Sequence, residues 1–420
     1  MNQRSFLYNG TMLQSEIITY RIHRKAVNVQ KVTCERWMDF EFVSPRMTDA
    51  AFEALSSVYR REMVEKYPWY FGTLYLYRMP EELSVSGRPL TLASAKKLLE
   101  KDPYSTEARW LLHTLMDRNC LSVIRGQRAL KHSAVPYTEQ TGFLSDLDAK
   151  LAVNSSFFTF DLLDCDSPYD VFGVPYGLMV KGGRILNPPL YDREALLVHR
   201  DGRITVRKTG LQDIRINVPG TLYTRPQWRK TPYHHLHDIV VIGSTVVDVR
   251  YGGNTPVPSA GYIISSPHTG LRPGDPVEYS GLEDVVFGIQ AGPASVIDGA
   301  PVPSFLSAYY SPFLPFRAPF PPARYPLDYG KAAAPRIVLG ADEEMRPVLV
   351  WVEGRKHPET ETESQGISLL DLGYVLKDLG LVQAVNLDGG GSAQILLDGK
   401  RALRVSGESE RPVPAGLMIR

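Results

Sequence analysis

"GISLLDLGYVLKDLGLVQAVNLDGGGSAQILLDGK", residues 366–400, holds the clearest local logic in the chain. Its first fifteen residues read as a helix. Ser368 with Asp371 has the spacing of a capping box, and Gly380 is a natural stop just past the helix end. "LVQAV" then reads as a buried strand, the glycines as a loop, and "AQILLDGK" as a strand running into a turn. Three glycines in a row, with Asp388 before them and Ser392 after, pose a chemical question. A Walker loop needs Lys-Ser/Thr and a helix after its glycines, and here Ser392-Ala393-Gln394 leads into a strand. A dinucleotide fingerprint fails too, since no G-x-G-x-x-G opens a helix. What remains is a strand–loop–strand turn with free N–H groups and no Cβ atoms. Such a loop can cradle an anion or let a sugar lie against the backbone. Asp388 is then an acid/base, a nucleophile, a metal ligand or a simple turn former, because Asp-Gly is also a common turn.

Working outward, 420 residues are too many for one ordinary core. Hydrophobic content of 43% and charged content of 22% are those of a globular chain. Lys+Arg 47 against Asp+Glu 46 leaves +1, so no global field argues for nucleic acid or membrane as a partner. Cys34, Cys120 and Cys165 are odd in number and far apart, which is neither a disulfide framework nor a zinc pattern. The opening "MNQRSFLYNG" has no apolar signal region, so the default expectation is a cytoplasmic protein.

Along the chain, the expectation is an α+β protein in two parts. Residues 1–120 read as a mainly helical extension. "MTDAAFEALSSVYRREMVEKYP" (47–68) and "TLASAKKLLEKDPYSTEARWLLHTLMDR" (91–118) have helical spacing, the latter broken at Asp102-Pro103. Residues 121–420 read as a β-rich mixed-sheet domain of short strands with Gly/Pro turns, interrupted by the Pro- and aromatic-dense run 301–335. "YHHLHD" (233–238) would put His235 and His237 on one strand face and His234 on the other. Two histidines do not complete a metal site, and a solvated loop is the simpler reading.

"AVNLDGGGSAQILLDG" resembles the signature of the phosphodiester glycosidases, the uncovering-enzyme family. "PRIVLGAD" is similar to that family's Arg-Thr-x-x-Gly strand. "IQAGPASVIDG" resembles its Gly-x-x-x-(Leu/Val)-x-x-x-Gly strand and turn, "LAVNSSFF" its Asn-Gly-Gly strand, and the closing "RPVPAGLMI" also fits. The resemblance spans roughly residues 125–420 in the family's order. Two departures stand out: Asn154-Ser155-Ser156 replaces Asn-Gly-Gly, and Arg336-Ile337 replaces Arg-Thr.

The resemblance implies hydrolysis of a sugar C1–O bond whose leaving group is a phosphate monoester. The enzyme then has little need to protonate the leaving group and more need to stabilise its charge. Asp388 and Arg336 are the implied catalytic pair: Asp388 to activate water or steady an oxocarbenium-like centre, Arg336 to grip phosphate oxygens. Asn154, Gly389, Gly390, Gly391, Ser392, Asn386 and Gly292 are the implied substrate contacts. A second carboxylate is expected, with Asp342, Glu353 and Asp298 as candidates. No cofactor is required, though Mg²⁺ or Ca²⁺ could sit at the Asp388 loop. The expected partner is a small-molecule or glycan phosphodiester. The competing readings are a carbohydrate- or phosphate-binding protein that has lost the chemistry, and a scaffold acting through its N-terminal extension. A Ser–His–Asp hydrolase is disfavoured because no G-x-S-x-G elbow appears.

Overall fold

A computed structural model describes residues 2–8, 11–46, 50, 84–85, 88–89, 129–132, 135–138, 141–159, 167, 169–170, 173–225, 227–267, 270–302, 333–354, 364–403 and 410–420. Its centre is an eight-stranded antiparallel sheet. The order is Asn2–Tyr8, Thr11–Ile22, Lys25–Thr33, Pro347–Val352, Arg336–Asp342, Leu381–Asn386, Ala294–Ile297 and Ala300–Pro301. "RIVLGAD" and "PVLVWV" are buried at every position. Continuous burial on both faces marks them as interior strands, which explains why they lack the in/out alternation of a surface strand.

The mainly helical N-terminal extension is not what the structure has. Residues 2–33 form three strands that extend the central sheet, with Val348 opposite Thr33 and Val352 opposite Val29. The Thr11–Ile22 and Lys25–Thr33 strands pair from Gln14↔Thr33 to Ile22↔Lys25. Their two-residue connection, His23-Arg24, has both φ angles positive, at 49° and 67°. That is the twist a tight hairpin needs, here without glycine, the residue that usually signals it. The helical spacing at 47–68 and 91–118 falls almost entirely outside the described residues, which include short strand pairs at 84–89 and 129–138. In the described residues the only α-helix is Leu369–Asp378.

That helix forms where its signals place it. Ser368 Oγ accepts from the Asp371 N–H at 3.1 Å and donates to the Asp371 carboxylate at 2.6 Å. Gly380 takes φ +80° just beyond its end. Leu369, Leu372, Val375 and Leu376 join Val27, Val29, Val338 and Val350 in one core, so the helix covers one face of the central sheet. The opposite face packs Leu339, Val385, Leu349 and Trp351 against residues of two further sheets. One of these is ordered Lys400–Arg401, Ile395–Leu397, Leu151–Asn154, Gly416–Ile419, Glu41–Val43; the other is Arg184–Asn187, Met179–Lys181, Val285–Gln290, Arg193–His199, Ile204–Thr209. A fourth sheet, Thr221–Thr224, Gly261–Ser266, Tyr233–Ile242, Thr245–Gly253, shares a second core with the third. "YHHLHD" therefore lies within a strand and not in a loop.

Candidate active site

The strand Leu381–Asn386 ends where the central sheet meets Leu151–Asn154, and the glycine loop bridges the two. Asp388 donates its backbone N–H to Ser155 O at 3.1 Å. Asn154 braces the loop at both ends. Its Nδ2 donates to Asp388 O at 2.7 Å, and its Oδ1 accepts from the Gln394 N–H at 2.9 Å. The Asn154 amide is thus engaged with the loop backbone.

Each glycine has its own reason. A Cβ on Gly389 would stand 2.8 Å from Pro335 O, because the loop lies against the start of the Arg336–Asp342 strand. Gly390 adopts φ +57° and gives its N–H to Pro335 O at 2.9 Å. A Cβ on Gly391 would meet Arg411 Nη2 at 2.6 Å. Backbone packing thus requires glycine at 389, positive φ favours it at 390, and at 391 a side chain would displace the Arg411 guanidinium; the Gly390 N–H is spent internally.

Two arginines pack against this loop. Arg336 is buried and donates Nε to Ile367 O at 3.1 Å; its Cδ lies 3.7 Å from where a Gly389 Cβ would be. Arg411 donates Nη1 to Ser392 Oγ at 3.0 Å. Ser392 is fully buried, and its hydroxyl hydrogen-bonds the Asp388 carboxylate. Burial pushes the Asp388 carboxyl up to about 7; the Ser392 hydroxyl, the Arg411 charge and the Gly389 N–H pull against that rise. Asp388 Oδ2 is buried with no hydrogen-bond partner among the described residues, as are Ser155 Oγ, Asn386 Oδ1 and Gln394 Oε1. Buried polar atoms left open in this way are where a polar ligand or water fits.

Gly292 lets another segment close on the site. Its N–H donates to Asn386 O at 2.6 Å, and a Cβ there would lie 2.5 Å from the same oxygen. Asn386 gives its Nδ2 to Leu387 O at 2.7 Å. Of the three candidate second carboxylates, Asp342 lies at the far end of its strand from Arg336, ion-paired to Arg346 at 2.8 Å. Asp298 occupies a hairpin turn and accepts from Gln383 Nε2 at 2.6 Å, near the start of the Asp388 strand. Glu353 alone follows directly on Val352, the partner of Arg336, at the same sheet end as the loop. Among the described residues no three His, Cys, Asp or Glu side chains group as a metal would need.

Two arginines escaped sequence reasoning. Arg411 lies in the closing "RPVPAGLMI", but nothing in its spacing connects it to a loop twenty residues earlier. Arg193 is buried with its guanidinium carbon 5.7 Å from the Phe157 ring centroid, beside a cavity of about 10 Å³ that Ser156 also lines. That is room for about one water. Neutralising Arg411 removes a charge that holds the Asp388 pKa down. Arg411→Gln is therefore expected to move the Asp388 ionisation above its present position near 7, read as the carboxyl ¹³C shift against pH. An unchanged titration would disconnect Arg411 from the carboxylate.

An interior β-strand, a glycine loop and a buried carboxylate with the Arg411 charge beside it make up the candidate site. Residues 237–420 match the family model for phosphodiester glycosidases. No curated protein matches the chain. Among solved structures, the chain is similar to a hypothetical protein from Synechocystis at 15% identity and a TM-score of 0.45, covering 100% of this chain and 64% of that one. The chain thus spans less than two thirds of that protein. It is also similar to the catalytic domain of zebrafish N-acetylglucosamine-1-phosphodiester alpha-N-acetylglucosaminidase, auto-inhibited by its pro-peptide, at 12% identity and TM-score 0.44, covering 100% and 87%. A third likeness, to a protein of Burkholderia pseudomallei described as exported, has 16% identity and TM-score 0.43, covering 100% and 98%.

Proposed function

We infer that the chain hydrolyses the glycosidic C1–O bond of a sugar 1-phosphodiester, of the N-acetylglucosamine-1-phosphodiester type or a related glycoconjugate. The observation that carries this reading is Asp388: a buried carboxyl pushed up to about 7, with Oδ2 open among the described residues and two arginines beside its loop. A carboxyl in that range can take a proton from water near neutral pH. The departing phosphate monoester carries its own negative charge, so a buried guanidinium contributes more than a proton donor would. Arg336 is the group for that oxygen cluster, and Arg411 acts through Ser392 on the carboxylate. Asn386 Oδ1 and Gln394 Oε1 are acceptors suited to sugar hydroxyls.

The test is a hydrolysis screen of sugar 1-phosphodiesters and nucleotide sugars in H₂¹⁸O. Label in the sugar hydroxyl and none in the phosphate marks C1–O cleavage; label in the phosphate marks P–O cleavage and rejects the assignment. Arg336→Lys keeps the charge and loses the planar fork. Turnover of phosphodiesters is expected to fall by about tenfold or more, with little change for an aryl glycoside that has no phosphate. An equal loss on both substrates would make Arg336 a structural residue. The alternative reading, a binding protein that has lost the chemistry, draws on the buried Ser155 and Ser156, which stand where the family resemblance implies two glycines. It calls for tight ligand binding with no product of either kind.

A further inference from the structure

The fourth sheet carries a surface that the site does not use. On the strand Tyr233–Ile242, side chains sort by face. His234 turns inward: its Nε2 lies 3.1 Å from Asp238 Oδ1 and 3.0 Å from Ser265 Oγ, and its Nδ1 accepts from the Leu236 N–H at 3.3 Å. One ring nitrogen meets both partners, and Ser265 gives its own proton to Asp238, so the cluster is a buried brace and not a proton relay. The alternate residues Tyr233, His235 and His237 face outward. Tyr233 is 81% exposed, and Tyr251, across the ladder from His237, is 64% exposed. The His237 and Tyr251 rings stand 5.2 Å apart at 61°.

The strip continues past the strand. Residues 229–231 run beside 254–257, through Val257 N–H to Arg229 O, the Lys230–Pro256 bridge and Asn254 N–H to Thr231 O. Arg229 and Lys230 are exposed; Trp228, braced edge-on against the buried Tyr223 at 5.3 Å, belongs to the opposite face of the sheet, with Val240 and Ile263. Residues 225–237 hold three Arg or Lys and three His with no acid. Of the acids near by, Asp238 is fully buried and Asp248 accepts from Tyr169 Oη at 2.7 Å. The result is a patch of Tyr233, His235, His237 and Tyr251, preceded along the chain by the exposed cations Arg229 and Lys230.

We propose that this strip binds a glycan chain linked through phosphodiesters, holding a polymeric substrate of the active site. The inference rests on the proposed hydrolase reading for its link to catalysis, but its own evidence is separate. Exposed rings stack on the apolar faces of sugars. Arg229 and Lys230 complement phosphates at intervals along the same chain. The His237 and Tyr251 rings already stand against each other, which lowers the ordering cost of binding. Most of the strip precedes the segment 237–420 that matches the family model.

The test uses the full chain with Asp388→Asn, so that no probe is consumed. Affinities are measured for phosphomannan, neutral mannan, inorganic polyphosphate and single-stranded DNA. Phosphomannan is expected to bind at least tenfold tighter than each of the others. Tyr233→Ala with Tyr251→Ala, and separately Arg229→Ala with Lys230→Ala, are each expected to weaken it tenfold or more. In the wild-type Asp388 background, both pairs should leave turnover of a small sugar 1-phosphodiester within twofold. Mannan binding as well as phosphomannan, DNA or polyphosphate binding equally, or double variants without effect each overturn the proposal. Phosphomannan binding through the strip in a protein that hydrolyses no phosphodiester would instead overturn the hydrolase reading and leave the strip standing.

Discussion

Asp388→Asn is expected to lower turnover by about 10²–10⁴-fold, the range of a lost general base, while making the protein more stable above pH 7. The two effects share one cause. Burial holds the Asp388 carboxyl at about 7, against 3.8 for an aspartate free in water. Between those pH values the folded state keeps a proton that the unfolded chain has released, so stability falls as pH rises through this window. Above it, the wild type carries a buried charge that the amide does not. The difference is on the order of a few kcal/mol, at about 1.4 kcal/mol per pKa unit. Melting temperatures of the two proteins should converge near pH 4 and separate at pH 8, with the variant higher. For a base, wild-type kcat/KM should rise with pH through about 7. A variant that turns over normally, or that melts below wild type at pH 8, would remove Asp388 from the chemistry and make its loop a structural turn.

A chain beginning at residue 47 is expected not to fold. Leu13, Val27, Val29, Val32, Trp37 and Phe40 are all buried in the central cores. At roughly 1.5–3 kcal/mol for each buried large side chain, their loss is comparable to the whole net stability of a typical protein, about 5–15 kcal/mol. The cut would also leave Pro347–Val352 as an open edge of interior, apolar composition, which invites aggregation. The measurement is solubility, circular dichroism and cooperative melting of the shortened chain. A soluble, cooperatively melting product would mean that the first three strands are an accessory layer. Catalysis by such a product would show in addition that they are not needed for the site.

Legibility in this sequence followed the range of the interactions involved. The helix Leu369–Asp378 was readable because its cap, its stop and its apolar spacing lie within fifteen residues. The N-terminal strands were not. Thr33 finds its partner Val348 some three hundred residues later, and the hairpin turn uses His23-Arg24 where a glycine would have announced it. Helical spacing further on, at 47–68 and 91–118, is a local pattern that carries no information about those pairings. The candidate second carboxylates show the same limit. Asp342 and Asp298 look equivalent to Glu353 along the chain, yet antiparallel pairing carries them to the other end of the sheet from the loop.

By itself the sequence determined the strand–loop–strand unit around Asp388, since steric freedom and capping are local properties written into residues a few positions apart. Tertiary structure decided what that unit can do. Gly389 is bare because Pro335 O lies against it and Gly390 because its φ is positive, Asn154 braces the loop it precedes by more than two hundred residues, and Arg411 reaches Asp388 through Ser392. An acidity is set by desolvation and by charges in space. Only the assembled sheets exclude the water that would otherwise hold Asp388 at an ordinary carboxylate's pKa.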